Sequence, residues 1–88
     1  MMITIKPRRY FFVEDDDGVI QYTFAPIAEM QLSIEIMTRI VKRDGFTAKE
    51  VAFTEWLPVF WADSEYGKCG NPVPVYMTEE HFLRNQYL

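Results

Sequence analysis

Cys69 and His81 are the residue types that could supply a nucleophile and its base. The 88-residue chain contains one cysteine and one histidine. Thiolate catalysis needs a base within hydrogen-bonding reach and a third group that orients that base, and Asn71 qualifies for the third role only by residue type. A lone thiol is more often an inert side chain than a nucleophile. We therefore predict no catalytic residue, and a Cys69-dependent enzyme is the least favoured alternative.

Acidic side chains gather over residues 14–17, directly before Gly18. Carboxylates bind divalent cations, but a calcium loop also needs a glutamate six residues after its glycine, and Phe24 stands there. One cysteine and one histidine are too few for the four ligands of a structural zinc ion. Residues 67–70 lack the phosphate-loop pattern of glycines followed by Lys and Ser or Thr. We predict an ordinary turn at the acidic run, and neither a metal nor a cofactor.

Arg8 and Arg9 precede three aromatic residues, and this mixture of types occurs in proteins that bind nucleic acids. Such proteins need a basic face that displaces counterions from phosphate. The chain has 9 basic and 13 acidic residues, a net charge of -4 and a pI near 4.8. We therefore predict an ordinary strand at this run and no nucleic-acid partner.

The composition predicts one small globular domain over residues 1–88. Apolar residues make up 49% and aromatic residues 16% of the chain, which is too apolar for a disordered tail. A single cysteine excludes an intramolecular disulfide, so a disulfide-stapled secreted scaffold is excluded. No apolar run is long enough for a signal peptide or a membrane span. We expect a cytoplasmic protein without a membrane partner.

The first part of the chain predicts a β-hairpin, preceded by an extension over residues 3–6. Two runs of β-branched and aromatic residues, 10–13 and 19–24, flank an Asp-Gly turn signal. Strand alternation gives the hairpin two faces. The predicted core face carries Phe11, Val13, Ile20, Tyr22 and Phe24. Tyr10 and Phe12 are predicted to project away from it.

Two helices and an extended segment are predicted to follow. The first helix covers residues 26–43, with Pro26 in its first turn and Gly45 after its end. It carries a wide apolar arc made of two stripes, which are Ile27, Met30, Ile34, Met37 and Val41, and Leu32, Ile36 and Ile40. The second covers 47–62, with a capping box at 47–50 and a kink or end at Pro58. Residues 73–77 predict an edge segment, and Thr78 caps a short last helix.

This order of elements predicts an α+β fold. It consists of a small antiparallel sheet built on the N-terminal hairpin and packed by two helices, with a C-terminal edge segment and a short helix. The chain has more large apolar residues than one small core requires. Protein–protein interfaces are rich in such residues, and the predicted interaction residues are Tyr10, Phe12, Leu32, Ile36, Trp56 and Trp61. Burial of all of them by neighbouring segments is the alternative interpretation.

We therefore expect a non-enzymatic protein–protein interaction module that acts as a small regulator, adaptor or inhibitor of a larger protein. Its compact, cysteine-poor style is that of accessory proteins encoded by bacteriophages and other mobile elements. The alternative is a structural or assembly subunit, for example of a phage particle, that self-associates through the first helix. A homodimer is one form of that alternative.

Overall fold

The computed structural model of the chain describes residues 5–85 and 87–88, so two residues of the predicted N-terminal extension, 3 and 4, lie outside it. The strands are β1 (Tyr10–Glu14), β2 (Ile20–Phe24) and β3 (Thr47–Val51). The helices are α1 (Gln31–Arg43), α2 (Phe53–Asp63), α3 (Glu65–Lys68) and α4 (Glu79–Arg84). The predicted α+β fold with an N-terminal hairpin is confirmed.

The sheet has the strand order β2-β1-β3, and β1 is antiparallel to both neighbours. β2 and β3 therefore run in the same direction, and α1 connects one to the other across β1. This is a split β–α–β arrangement, in which the central strand comes from an earlier part of the chain.

Both faces of β1 are buried. Tyr10 and Phe12 are 4% and 7% exposed, and they belong to the main core cluster. Phe11 and Val13 point the other way and are also buried. Tyr10 and Phe12 do project away from Phe11 and Val13, as predicted, but the prediction of a single core face is wrong, because β1 is the central strand and has helices on both of its sides.

The face of β1 that carries Tyr10 and Phe12 packs against α2 and α4. The rings of Tyr10 and Trp56 lie 5.0 Å apart, and those of Trp56 and Phe82 lie 5.8 Å apart at 83°. Edge-to-face contacts of this kind add to the energy of simple burial. The cluster is completed by Leu57 and Trp61 of α2.

The opposite face of the sheet is covered by α1. Its buried residues are Ile34 and Val41, which lie outside the aromatic cluster, as do Phe11 and Val13. α1 packs most closely on β3. The fold therefore has three layers, with α1 on one side of the sheet and α2 and α4 on the other.

β2 contains an irregularity that changes one predicted facing. Val13 is opposite Tyr22, but the next residue of β1, Glu14, is opposite Ile20. A shift of one residue turns a side chain to the other face of a sheet. Ile20 accordingly packs against the aromatic cluster, and its predicted place beside Tyr22 is wrong.

The first helix begins later than predicted. The N–H of Arg9 donates to the carbonyl of Pro26 at 2.9 Å, and the N–H of Ala28 donates to the carbonyl of Pro7 at 2.8 Å. Residues 26–28 therefore pair with residues 7–9 in the manner of two strands. This pairing occupies the segment between the end of β2 and the turn before α1. Pro26 is tolerated because an edge position does not require its missing N–H.

Residues 47–51 form β3, and the helix predicted to start with a capping box there is wrong. All five residues of β3 pair with β1, so the ladder satisfies backbone groups that a helix would otherwise satisfy. Gly45 takes a φ of 89° in the turn between α1 and β3, a value that favours glycine.

α2 continues through Pro58 to Asp63. Of the two predicted alternatives, a kink or an end of the helix at Pro58, the end is therefore excluded. The missing N–H of Pro58 costs one helical hydrogen bond. Burial of Trp56, Leu57 and Trp61 on the same helix stabilises the element around that loss.

The C-terminal segment forms no strand. A turn closes between the N–H of Met77 and the carbonyl of Pro74, and both edges of the sheet belong to β2 and β3. The predicted edge segment at 73–77 is therefore wrong, although Val73 and Met77 pack against the core. The predicted cap is confirmed, since the Thr78 side chain accepts from the N–H of His81 at 3.1 Å.

The two tryptophans should respond differently to replacement by phenylalanine. The indole N–H of Trp61 donates to the carbonyl of Asn71 at 2.9 Å, whereas that of Trp56 is buried with no partner among the described residues. Trp61→Phe loses a hydrogen bond, and Trp56→Phe removes an unsatisfied donor. We expect Trp61→Phe to be more destabilising by about 1–2 kcal/mol, measured by urea unfolding. An equal or reversed order would contradict this assignment.

A second prediction concerns acid stability. The guanidinium of Arg9 donates two hydrogen bonds of 2.8 Å to the carboxylate of Glu50, which holds the pKa of Glu50 below its ordinary value of 4.5. Ionised Glu50 therefore stabilises the fold above pH 4.5, and this contribution is lost as the pH falls through the lowered pKa. It is modest because the pair is partly exposed. Unfolding free energies of wild type and Glu50→Gln should differ at pH 7, and the difference should shrink as the pH falls through the lowered pKa of Glu50. A constant difference would refute the ion pair.

Candidate interaction surface

α1 carries apolar residues on two opposite sides. Ile34 and Val41 face the sheet and are buried, whereas Leu32, Ile36 and Ile40 are 70%, 47% and 51% exposed. The latter three stand four residues apart, so they lie along one side of the helix. We call them the outer face of α1.

The polar flank of α1 fixes the direction of the outer face. The side-chain oxygen of Gln31 accepts from Arg9 at 3.0 Å, and Arg9 also binds Glu50 of β3. Thr38 and Lys42 line a cavity of about 390 Å³ together with residues 46–48 at the start of β3. Because these polar residues point toward β3, helical geometry turns the outer face to solvent and toward the β2 side. Tyr22 of β2 is 45% exposed there.

The charge along the outer face is unevenly distributed. Arg39 and Arg43 lie beside the apolar residues in the second half of α1, and both are exposed. Glu29 is exposed just before the helix begins. The surface is therefore locally basic at the C-terminal end of α1, where positive charge also suits the helix dipole, although the chain as a whole is acidic.

The structure divides the six predicted interaction residues into two groups. Leu32 and Ile36 lie together on the outer face of α1. The other four lie together in the aromatic core and are at most 7% exposed. These four are Tyr10, Phe12, Trp56 and Trp61. They stabilise the fold and leave almost no accessible area for a partner.

Sequence reasoning also missed exposed apolar residues. Ile40 is not among the predicted interaction residues, although it belongs to the same stripe as Leu32 and Ile36 and its spacing is the signal that indicates its exposure. Val75 and Tyr76 are 104% and 69% exposed in the loop before α4. Their location in a Pro-rich segment gave no indication of exposure.

The residues considered for catalysis are placed without the contacts that catalysis requires. Cys69 is exposed at the end of α3, and the ring of His81 lies 5.7 Å from Tyr76 and 6.5 Å from Tyr87. Within residues 5–85 and 87–88, neither the thiol nor the imidazole makes a hydrogen bond to another side chain. The arrangement therefore gives no support to a nucleophile and base pair.

The acidic turn is used to close the hairpin. One carboxylate oxygen of Asp15 accepts from the N–H groups of Asp17 and Val19, both at 2.9 Å. The other accepts from the side chain of Gln21 at 2.8 Å. In the described part of the chain, no group of three or more His, Cys, Asp or Glu residues could hold a metal ion.

Arg8 and Arg9 are engaged within the protein. Arg8 donates to the carbonyl of Ala25 at 2.8 Å, and Arg9 binds Glu50 and Gln31 and lies 5.4 Å from the centre of the Phe11 ring. Both guanidinium groups therefore make contacts that stabilise the fold. Fewer of their N–H groups remain available to bind phosphate.

None of the helices formed by the described residues has both the length and the apolar character that crossing a membrane requires.

Comparison with protein-family models, with curated proteins and with solved structures found no match to the chain.

The two sides of α1 should differ sharply in their tolerance of polar substitution. Ile34→Ser places a hydroxyl and a cavity in the core and should cost about 3–5 kcal/mol. Ile36→Ser is its matched control, and it should change stability by about 0.5 kcal/mol or less in dilute solution, since the two residue types have similar helix propensities. Urea unfolding checks both values. Strong destabilisation by Ile36→Ser would show that the outer face is part of the core.

Proposed function

We propose that the protein is a non-enzymatic protein-interaction module, a small regulator, adaptor or inhibitor that binds a larger protein through the outer face of α1. One observation carries the proposal. Three aliphatic side chains remain about half or more exposed at helical spacing, although the sheet provides a buried place for the opposite side of the same helix.

The outer face has the form of a helical recognition element. Proteins that bind a helix in a groove take up apolar anchors from one side of it, at spacings of three and four residues. Leu32, Ile36 and Ile40 supply three such anchors. Burial of a large aliphatic side chain gains roughly 1.5–3 kcal/mol when it starts fully exposed. These three are 70%, 47% and 51% exposed, so each can contribute a corresponding fraction of that gain to binding.

The charges beside the anchors indicate the partner's chemistry. Arg39 and Arg43 border the apolar residues, and rim charges of opposite sign speed association and orient the partner. The matching surface on the partner is an apolar groove with carboxylates at the rim near the C-terminal end of α1. Binding should therefore weaken as the salt concentration rises.

The proposed setting is the cytoplasm, and the proposed source is a phage or another mobile element. Both proposals rest on the cysteine-poor composition and the small size of the chain. A regulator or inhibitor of this size acts by covering a surface of its target, and it needs no cofactor or metal for that.

The test uses capture followed by titration with purified components. Immobilised wild type is used to capture a partner, which is identified, purified and titrated against the variants. We expect Leu32→Ser/Ile36→Ser to weaken binding by about 30-fold or more without loss of fold. The matched control is Val75→Ser, which removes an exposed apolar side chain from the loop before α4 and should leave affinity unchanged.

Two results would contradict the proposal. One is a partner that binds Leu32→Ser/Ile36→Ser as tightly as wild type, which would place the contact elsewhere. The other is an equal loss of affinity in Val75→Ser, which would show that binding follows general hydrophobicity and not the outer face.

A further inference from the structure

We infer that the free edge of β3 is a further binding site, which takes the carboxyl-terminal tail of another protein as an added strand. The tail pairs antiparallel with β3, and its terminal carboxylate lies at Lys42 of α1. This site is separate from the outer face of α1, so the inference goes beyond the proposed function and does not depend on it.

The free edge of β3 has backbone groups available for pairing. β3 is an outer strand of the sheet, and its one neighbour is β1. In such a strand, alternate residues turn their N–H and C=O groups away from the sheet. Within the described residues, no backbone hydrogen bond outside the pairing with β1 involves residues 47–51. These outward groups can therefore pair with a further strand.

The open edge specifies an extended chain as its occupant. A row of alternating N–H and C=O groups is matched by another strand, whereas the backbone groups of a helix are already paired within the helix. Every second side chain of the added strand then points to the side of the sheet that α1 covers. The cavity between α1 and the start of β3 lies on that side.

This cavity has room for a side chain of the added strand. Its volume is about 390 Å³. Ale48 is replaced by no larger residue here: Ala48 is opposite Val13 in the ladder, so it lies on the α1 side and contributes only a methyl group. The lining consists of Thr38, Lys42, Phe46, Thr47 and Ala48. A larger side chain at position 48 would fill part of this space.

The position of the cavity favours a chain end. α1 and β3 are consecutive elements, and residues 44–46 join the end of the helix to the start of the strand. Phe46 of this connection lines the cavity, so the groove between α1 and β3 is closed at that end. An internal segment would have to turn out of the groove there, whereas a chain terminus can stop inside it.

Lys42 selects the carboxyl terminus over the amino terminus. It is exposed and makes no salt bridge within the described residues. A carboxylate at this place forms a charge-assisted hydrogen bond with the ammonium group, whereas an amino terminus would bring a like charge. A carboxyl terminus at the start of β3 belongs to a strand that runs antiparallel to β3, which is also the more stable pairing.

A second copy of the chain fits this edge less well. β3 is followed after one residue by α2, so a copied β3 has no free end to place in the cavity. Its carboxylate, Glu50, is bound by Arg9 through two hydrogen bonds of 2.8 Å. The last described residues are held to their own core, since the ring of Tyr87 stacks on that of Phe82 at 5.4 Å.

The test begins with random peptides of about eight residues, a length typical of strands, displayed with a free carboxyl terminus and selected on the immobilised full chain. The most enriched peptide is synthesised as the free acid and as the carboxyl-terminal amide. Both forms are titrated by fluorescence anisotropy against wild type, Lys42→Gln and Ala48→Ile. Arg39→Gln is the matched control, since it removes a positive charge of α1 that does not line the cavity. Urea unfolding checks that each variant is folded.

We expect the free acid to bind about tenfold more tightly than the amide or better. Lys42→Gln should weaken the free acid by about the same factor and leave the amide nearly unchanged, because both changes remove one and the same contact. Ala48→Ile should weaken both forms, since it fills the cavity. Arg39→Gln should bind both forms as wild type does.

Amide hydrogen exchange followed by NMR locates the bound peptide. Pairing with the peptide should slow the exchange of the outward N–H groups of β3 and leave those of β2 unchanged. Leu32→Ser/Ile36→Ser should bind the peptide as tightly as wild type, because neither side chain lines the cavity.

The inference is overturned if the selection enriches no peptide, if the acid and the amide bind equally, or if Lys42→Gln weakens both forms alike. Exchange protection on β2 instead of β3 would also overturn it. So would light scattering that shows a wild-type dimer and an Ala48→Ile monomer, because the edge would then belong to a second copy.

The experiment separates this inference from the proposed function. Loss of peptide binding in Leu32→Ser/Ile36→Ser would move the peptide to the outer face of α1 and overturn the β3 site. Failure of the β3 site leaves the capture experiment on the outer face unaffected. A captured partner that ignores the outer face would remove the proposed function and leave the peptide titrations as they are.

Discussion

Tyr10, Phe11, Phe12 and Val13 follow one another in β1, and all four are buried. Because strand side chains alternate, such a run requires a protein layer on each side of the sheet. α2 and α4 supply one layer and α1 supplies the other. Among the described residues, no further element covers the outer face of α1. Leu32, Ile36 and Ile40 thus remain exposed because the opposite side of α1 is the one that covers the sheet.

Local signals predicted part of this architecture and missed the part that depends on distant contacts. The Asp-Gly turn and the Thr78 cap are local, and both appear in the structure. β3 was missed because Thr47 and Glu50 match a capping box, while the pairing that makes them a strand comes from β1, more than thirty residues earlier. The late start of α1 has the same origin, since Pro26 is held by the N–H of Arg9.

The interaction surface was predicted in part for a related reason. An apolar row at helical spacing is the same signal whether it faces a core or solvent. Only the position of the sheet decides that Ile34 is inside and Ile36 outside. The aromatic candidates were predicted to be accessible to a partner because the predicted hairpin had a single core face. β3 pairs with the other edge of β1 and makes β1 a central strand, which is buried on both faces. Tyr10 and Trp56 then become neighbours within the core.

The edges of the sheet bear on how copies of this chain can associate. An open strand edge can recruit another chain by backbone pairing, and repetition of that step builds a fibre. β2 is interrupted by its irregular register near Ile20, and the Ala25 carbonyl that follows it is occupied by Arg8. β3 carries Lys49 and Glu50, charges of the kind that discourage edge pairing. The outer face of α1 differs from such an edge, because the backbone groups of a helix are paired within the helix and offer no ladder for a further chain to extend.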